Sequence, residues 1–333
     1  MSPDDVATLK TTAAAISKQL PLRLAIAEYD RTRPLIDGRV KPEGITLTTA
    51  SPHIAEFCNR PVYEEFDVAE MSLSMYVAAK ARGDKVIALP IFPLRMAVLA
   101  YVFCRADAPY KHPGELKGKR IASIGYRYTV NLWLRGIFKD RYGISPEQVT
   151  WVTGEQEGAG YVVPKGIDVR IVKGRTPGEL LLAGEVDAVL GPEAPIEYLK
   201  GDTRIRRIFP DARGECAQYF RDTGIFPTTH TVVMSEASWK AKKWVAEPLV
   251  NAFREAQRQT DAFLYANAKH SIFPDAVFYL EEERRVWGEN PWPHGVAANR
   301  HTIETFVRYA HEQGYIDRRL AIEELFAENT LHL

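Results

Sequence analysis

Along this chain, short unbroken apolar runs alternate with longer stretches in which apolar and polar positions recur at helical spacing. Unbroken runs suit strands buried on both faces, and their alternation with amphipathic helices predicts parallel sheets covered on both sides. The runs LRLAIAEY (22–29), GITLT (44–48), FDVAEM (66–71), KVIALPIF (85–92) and AVLAYVFC (97–104) are read as strands. A second unit opens with ELKGKRIASIG (115–125), a turn followed by a strand. The next stretch, TVNLWLRGIFKDRYGIS, has helical spacing, with Thr129 placed to cap its start and Gly143 its end. VTWVTG, IDVRIV and VDAVLG supply further strands, the last preceded by the helix PGELLLAG. From Thr229 the strand THTVVMS follows, then helices in PLVNAFREAQRQTDAFLYAN, TIETFVRYAHEQG and RRLAIEELFAEN. No internal repeat or low-complexity linker interrupts this order, so two compact units joined by chain crossings are expected.

Composition narrows the function classes. The chain has 333 residues, enough for two units. Its 43 Lys and Arg balance 43 Asp and Glu, so it carries no electrostatic footprint for nucleic acid or an anionic membrane. The three cysteines, Cys58, Cys104 and Cys216, are widely spaced and form no CxxC pair, which argues against a disulfide framework or a thiolate zinc site. They are read as small buried hydrophobes. Two acids precede the first apolar stretch, which Lys10 and Lys18 interrupt, so no secretory signal is expected and the location is read as cytoplasmic. No apolar window reaches membrane-spanning length. There is no GxSxG elbow, HExxH motif or Walker loop, and His, Asp and Glu are scattered without ligand spacing. Neither a metal nor an organic cofactor is expected.

The order of pieces resembles the type II periplasmic-binding-protein-like fold, in which two α/β lobes are joined by two crossings and close on a ligand in the cleft between them. That resemblance implies a peripheral segment 1–20, a discontinuous lobe 1 at 21–105 plus 228–333, and lobe 2 at 106–227. More specific phrases narrow it: YDRTRPLIDGRVKPEGITL, EFDVAEMSLSMY, LPIFPLR, TVNLWLRGIF, TGIFPTTHTVV, NPWPHGVAANRHTIETF and EQGYIDRRLAIEELFAENT. Together they resemble the 4,5-dihydroxyphthalate decarboxylase family, over essentially everything after residue 20. Two departures stand out. Val98 and Leu99 occupy the place of an Arg-His pair after FP-x-R, and Arg127 stands where the family pattern has Gln. They leave the particular substrate open.

In open α/β sheets, ligands bind beyond the carboxyl ends of the strands. This rule nominates Asp30, Arg31 and Arg33 after the first strand and Glu70, Ser72 and Ser74 after the third. It adds Arg95 after the fourth, and Tyr126, Arg127 and Thr129 in lobe 2. Arginine forks match carboxylates, and helix N-termini at Ser72–Ser74 and Tyr126–Thr129 would add N–H donors for an anion. Each nominee also has a plain structural reading, as a surface ion pair or a helix cap. His230 lies beside the expected second crossing, and position and family resemblance together single it out. His294 ranks lower, because the NPWPHG turn explains it structurally.

The resemblance implies a cofactor-independent decarboxylase acting on a small-molecule hydroxylated aromatic carboxylate, by protonation of the ring carbon and loss of CO2. His230 would be the first choice of proton donor and Glu70 the second. Glu70, Asp30 or Tyr126 would accept from the phenol hydroxyl. Arg31, Arg33, Arg95 and Arg127 would hold carboxylates. Two alternatives stay open: a solute-binding protein for an aromatic or other carboxylate, and a different lyase or hydrolase reaction on the same scaffold. The long C-terminal helices and the NPWPHG turn are candidates for a homo-oligomer interface.

Overall fold

The computed structural model describes residues 19–154 and 162–333. The expected peripheral segment therefore lies outside the described residues, apart from its last two positions. Eleven strands are described, in two sheets. The first sheet contains β1 (Leu20–Ala25), β2 (Ile45–Ala50), β3 (Val68–Ser72), β4 (Val86–Leu89) and β11 (His230–Ser235), in the order β2-β1-β3-β11-β4. The second contains β5 (Val102–Arg105), β6 (Arg120–Ser123), β7 (Thr150–Thr153), β8 (Asp168–Ile171), β9 (Ala188–Leu190) and β10 (Ile205–Arg207), in the order β10-β5-β9-β6-β7-β8.

Neither sheet is purely parallel. β11 runs antiparallel to both β3 and β4, and β5 antiparallel to both β9 and β10. These two are the first strands laid down after the chain passes from one sheet to the other. The other strands of each sheet deliver their carboxyl ends toward the cleft, so a chain arriving from the opposite lobe starts its strand at the cleft and runs away from it. His230, the first residue of β11, accordingly lies opposite Ser72, the last residue of β3.

The crossings themselves differ from the expected boundaries. Residues 97–104 do not form one strand. Val98–Tyr101 is a 3-10 turn, and only Val102–Arg105 is extended, in the second sheet rather than the first. The first crossing therefore lies near Arg95, where it pairs with the second: Met96 N–H donates to Pro227 O at 2.9 Å and Thr229 N–H to Leu94 O at 2.9 Å. The two crossings lie side by side as one hinge.

Six longer helices cover the sheets: α1 (Leu73–Arg82), α2 (Thr129–Tyr142), α3 (Ala212–Thr223), α4 (Ala246–Asn267), α5 (Ala276–Trp287) and α6 (Arg300–Glu312). Gly143 ends α2 in the left-handed conformation, φ +69°, as its position predicts. Thr129 does not cap α2. Tyr128 holds the cap position, and the Thr129 hydroxyl serves α1 instead. Helix α5 was not legible in the pattern, and the predicted helix at 318–329 shrinks to Ile322–Leu325. On the first sheet, Leu249, Val250 and Phe253 of α4 pack with Leu22, Leu24 and Val232. Between the units, Trp133 of α2 packs on Phe306 and Tyr309 of α6, at centroid distances of 5.2 and 5.7 Å.

Candidate active site

β3 is buried along its whole length, yet it carries a glutamate. Glu70 is 1% exposed and must be matched by donors, since an unpaired buried carboxylate is costly. Three groups meet it. Ala27 N–H donates to Oε2 at 2.9 Å, Tyr29 O–H to Oε1 at 2.7 Å, and His230 Nδ1 lies 2.5 Å from Oε1. Glu70 and His230 are diagonal neighbours on one face of the β3–β11 pair, which brings two residues 160 positions apart into contact.

The Ala27–Thr32 turn that supplies two of these donors is itself held from inside. The buried Thr32 hydroxyl donates to Ala27 O and accepts from Tyr29 N–H. Burial lifts the Tyr29 phenol well above its ordinary range, and the neighbouring Glu70 charge adds to the effect. Tyr29 is thus a fixed donor. Burial alone would depress His230, but its hydrogen bonds to Cys58 and Glu70 outweigh that and hold it up at about 10. The outer ring nitrogen, Nε2, faces Cys58 Sγ at 3.7 Å.

Arg31 closes one side. Its guanidinium lies between the rings of Tyr29 and Trp292, at 4.3 and 4.0 Å, while Nε donates to Pro93 O at 2.7 Å and Nη1 to Asp30 at 3.2 Å. Burial pulls its pKa down, against the opposing pull of Asp30, Tyr29 and Glu70. On the other side the two lobes meet. Thr129 Oγ1 lies 2.9 Å from Ser72 Oγ and 3.0 Å from Ser74 Oγ, and it accepts from Ser74 N–H at 3.0 Å. Arg127 Nη2 donates to Asn59 Oδ1 at 2.9 Å.

Several nominated residues go elsewhere. Arg33 opens the helical turn Arg33–Ile36 and pairs with Glu28 at 2.7 Å, both exposed. Asp30 is exposed and serves Arg31. Arg95 is buried in the hinge and donates to Phe226 O, Pro293 O and Asn299 Oδ1, so its fork ties backbone together instead of facing an open cleft. Burial pushes its pKa down to about 9. Tyr126 is buried in the core, with the Arg135 guanidinium 3.7 Å above its ring. His294 accepts from Phe92 N–H, and burial with three nearby arginines holds it down at about 3, neutral. A cavity of about 520 Å³ lies beside Asn59 and Arg127, but neither His230 nor Glu70 lines it.

Sequence reasoning missed Tyr29, Cys58, Asn59 and Trp292. Tyr29 stood at the end of an apolar run and could have been nominated by the same strand-end rule as Asp30. Cys58 carried no signal, because its partner is 172 residues away. Among the described residues no group of three or more His, Cys, Asp or Glu side chains could hold a metal ion. No helix among them is long and apolar enough to cross a membrane.

Two α/β lobes and a paired hinge, with a buried acid–imidazole couple where the second crossing enters its sheet, define a protein of the two-lobed binding-protein architecture. Solved structures agree on the fold. The sulfonate-binding protein SsuA of Methylobacillus flagellatus matches with a TM-score of 0.57 at 14% identity, covering 93% of this chain and 92% of that one. The aliphatic sulphonate binding protein SsuA of Escherichia coli matches with a TM-score of 0.55 at 14% identity, covering 94% and 99%. No protein-family model matches the chain. The 4,5-dihydroxyphthalate decarboxylase of Comamonas testosteroni is 32% identical over 318 residues, 92% of this chain and 96% of the relative. The enzyme of the same name from Pseudomonas putida is 32% identical over 215 residues, 62% of this chain and 83% of the relative. The chain belongs to the 4,5-dihydroxyphthalate decarboxylase family.

Proposed function

We propose that this protein is a carboxy-lyase that removes CO2 from a hydroxylated aromatic carboxylate, with 4,5-dihydroxyphthalate, the compound its relatives are named for, as first candidate. Direct loss of CO2 would leave an aryl carbanion, so the ring carbon bearing the carboxylate is protonated first and the electrons of the C–CO2 bond then restore aromaticity. The observation that carries this reading is the buried His230–Glu70 couple at the hinge. Glu70 holds the imidazole through Nδ1 and leaves Nε2, beside Cys58 Sγ, as the proton donor. His230 is held up at about 10, so it carries that proton at neutral pH.

Arg31 suits the role of carboxylate clamp. The two aromatic rings fix its plane, and Nη2 makes no hydrogen bond among the described residues. A ring hydroxyl para to the reacting carbon pushes electrons toward it, and Tyr29, hydrogen-bonded to Glu70, stands next to the same carboxylate that steadies His230. Lobe closure through Ser72, Ser74 and Thr129 excludes water during the transfer.

The test is incubation of the purified protein with a panel of hydroxylated benzoates and phthalates, with detection of CO2 and of the ring product. Release of one CO2 per turnover from a hydroxylated phthalate is the expected result. Binding of the panel without CO2 release would overturn the decarboxylase reading in favour of solute binding.

A further inference from the structure

We propose that Cys58 is a positioning residue of this site, sharing one proton with His230 between Sγ and Nε2, and that this shared proton is the one delivered to the substrate ring. The inference rests on the decarboxylation reading for the destination of the proton, but the pairing itself stands on geometry. Sγ lies 3.7 Å from Nε2, and the opposite nitrogen of the same ring is bound to buried Glu70. With Nδ1 committed to Glu70, the proton on Nε2 can be passed only toward Cys58 or toward whatever occupies the cleft.

The three cysteines are not alike. Cys104 and Cys216 are buried in apolar surroundings, and burial raises both thiols, Cys216 to about 11. Cys58 is half-buried and faces an imidazole. It is delivered by the short helix Glu56–Asn59, whose neighbouring residues are fastened at both ends. Phe57 is fully buried, Arg60 forks onto Glu56, and Asn59 accepts from Arg127 of the other lobe. The contact between Asn59 and Arg127 ties the position of Cys58 to lobe closure.

The charged and titratable groups around the slot come from four elements: His230 on β11, Glu70 on β3, Tyr29 and Arg31 on the turn after β1, and Cys58 itself on the β2–β3 connection. Tyr29 and Arg31 both face Glu70, so the carboxylate and its partners balance one another, and the Cys58–His230 slot holds the proton left for transfer. In the forward reaction that proton moves from the slot to the ring carbon, a C–H bond forms, and CO2 leaves with its carbon–carbon bonding pair returned to the ring.

Iodoacetamide on the intact protein at neutral pH, followed by peptide mapping, reads the pairing without any substrate. Alkylation forms a C–S bond, breaks C–I and releases iodide, while the shared proton stays on His230 Nε2. Cys58 is expected to be labelled before Cys104 and Cys216, and His230→Gln should slow it about tenfold. Equal labelling rates in wild type and His230→Gln would overturn the pairing.

For the catalytic half, Cys58→Ala should lower kcat with KM little changed and move the alkaline limb of the kcat profile about one pH unit lower, because His230 loses a hydrogen-bond partner. Cys58→Ser, which keeps a weaker hydrogen bond, should recover part of both and serves as the readout if the alanine variant does not fold. An unchanged alkaline limb in the folded variants would overturn the shared-proton role. Absence of CO2 release by the wild type would overturn the decarboxylation reading instead, and the labelling comparison would still decide the Cys58–His230 pairing.

Discussion

Asp30, Arg31, Thr32 and Arg33 follow one another in sequence, yet their side chains have four different fates. Asp30 is exposed, Arg31 is held between two rings, Thr32 is fully buried in the turn, and Arg33 points to solvent. One turn of irregular backbone followed by a turn of helix is enough to separate them. Two predictions belong at this scale. Arg31→Lys should weaken carboxylate binding about tenfold with little change in kcat, because an ammonium cannot reproduce a stacked planar fork; titration calorimetry with an aromatic carboxylate reads it, and an unchanged Kd would remove Arg31 from the clamp. His230 gives a pH signature. Its folded pKa of about 10 lies above its ordinary 6.5, so its contribution to stability is complete below about 6.5 and is lost as pH rises toward 10. Thermal midpoints of the wild type should therefore fall across that window more steeply than those of His230→Gln.

Helix α2 shows how an element is chosen against its own propensity. Gly136 sits in its interior, where alanine would favour the helix by roughly 1 kcal/mol. A Cβ at that position would lie 2.2–2.5 Å from ring atoms of Tyr309 on α6. That ring cannot swing away cheaply, because Tyr309 is buried, packs edge-on against Trp133 and donates to Asp140 at 2.9 Å. Gly136→Ala should thus destabilise the protein by about 1–3 kcal/mol despite the better helix former, measured as a lowered urea midpoint; an unchanged or raised midpoint would mean α2 and α6 part without cost. Residue spacing announced α2 and its Gly143 cap. It could not announce that the helix interior needs a glycine, since the reason lies on a helix more than 160 residues further on.

At the scale of the whole molecule, the two lobes are joined by a hinge on one side and by a knot of hydroxyls across the cleft. Thr129→Val keeps the shape of the side chain but strips Ser74 N–H of its acceptor, at a cost of about 1–3 kcal/mol to the closed form. Small-angle scattering of the ligand-free variant should give a larger radius of gyration than the wild type, and identical curves would show that the knot does not hold the lobes together. The hinge should resist such treatment. Its crossings are paired through backbone, Trp133 Nε1 donates to Thr228 O at 2.8 Å, and Arg95 straps three segments around it.

The amino-acid sequence by itself determined the alternation of strand and helix, the two-unit order and the presence of Glu70 within one apolar run and His230 at the start of another, because periodicity is a local property of a chain. It also carried the phrases by which the family is recognised. Tertiary structure decided what no local property contains. Strand direction reversed in β5 and β11 because each begins at the cleft, and that reversal set His230 diagonal to Glu70. Arg31 and Arg33 were parted by a turn of backbone, and Arg95 went to the hinge because the carbonyls of Phe226 and Pro293 and the side chain of Asn299 converge there. Cys58 and Tyr29 reached the imidazole and its carboxylate through contacts spanning 172 and 41 positions. Contacts of that range exist only once β1, β3 and β11 have assembled into the first sheet, since the burial of Glu70 within it makes pairing the carboxylate obligatory.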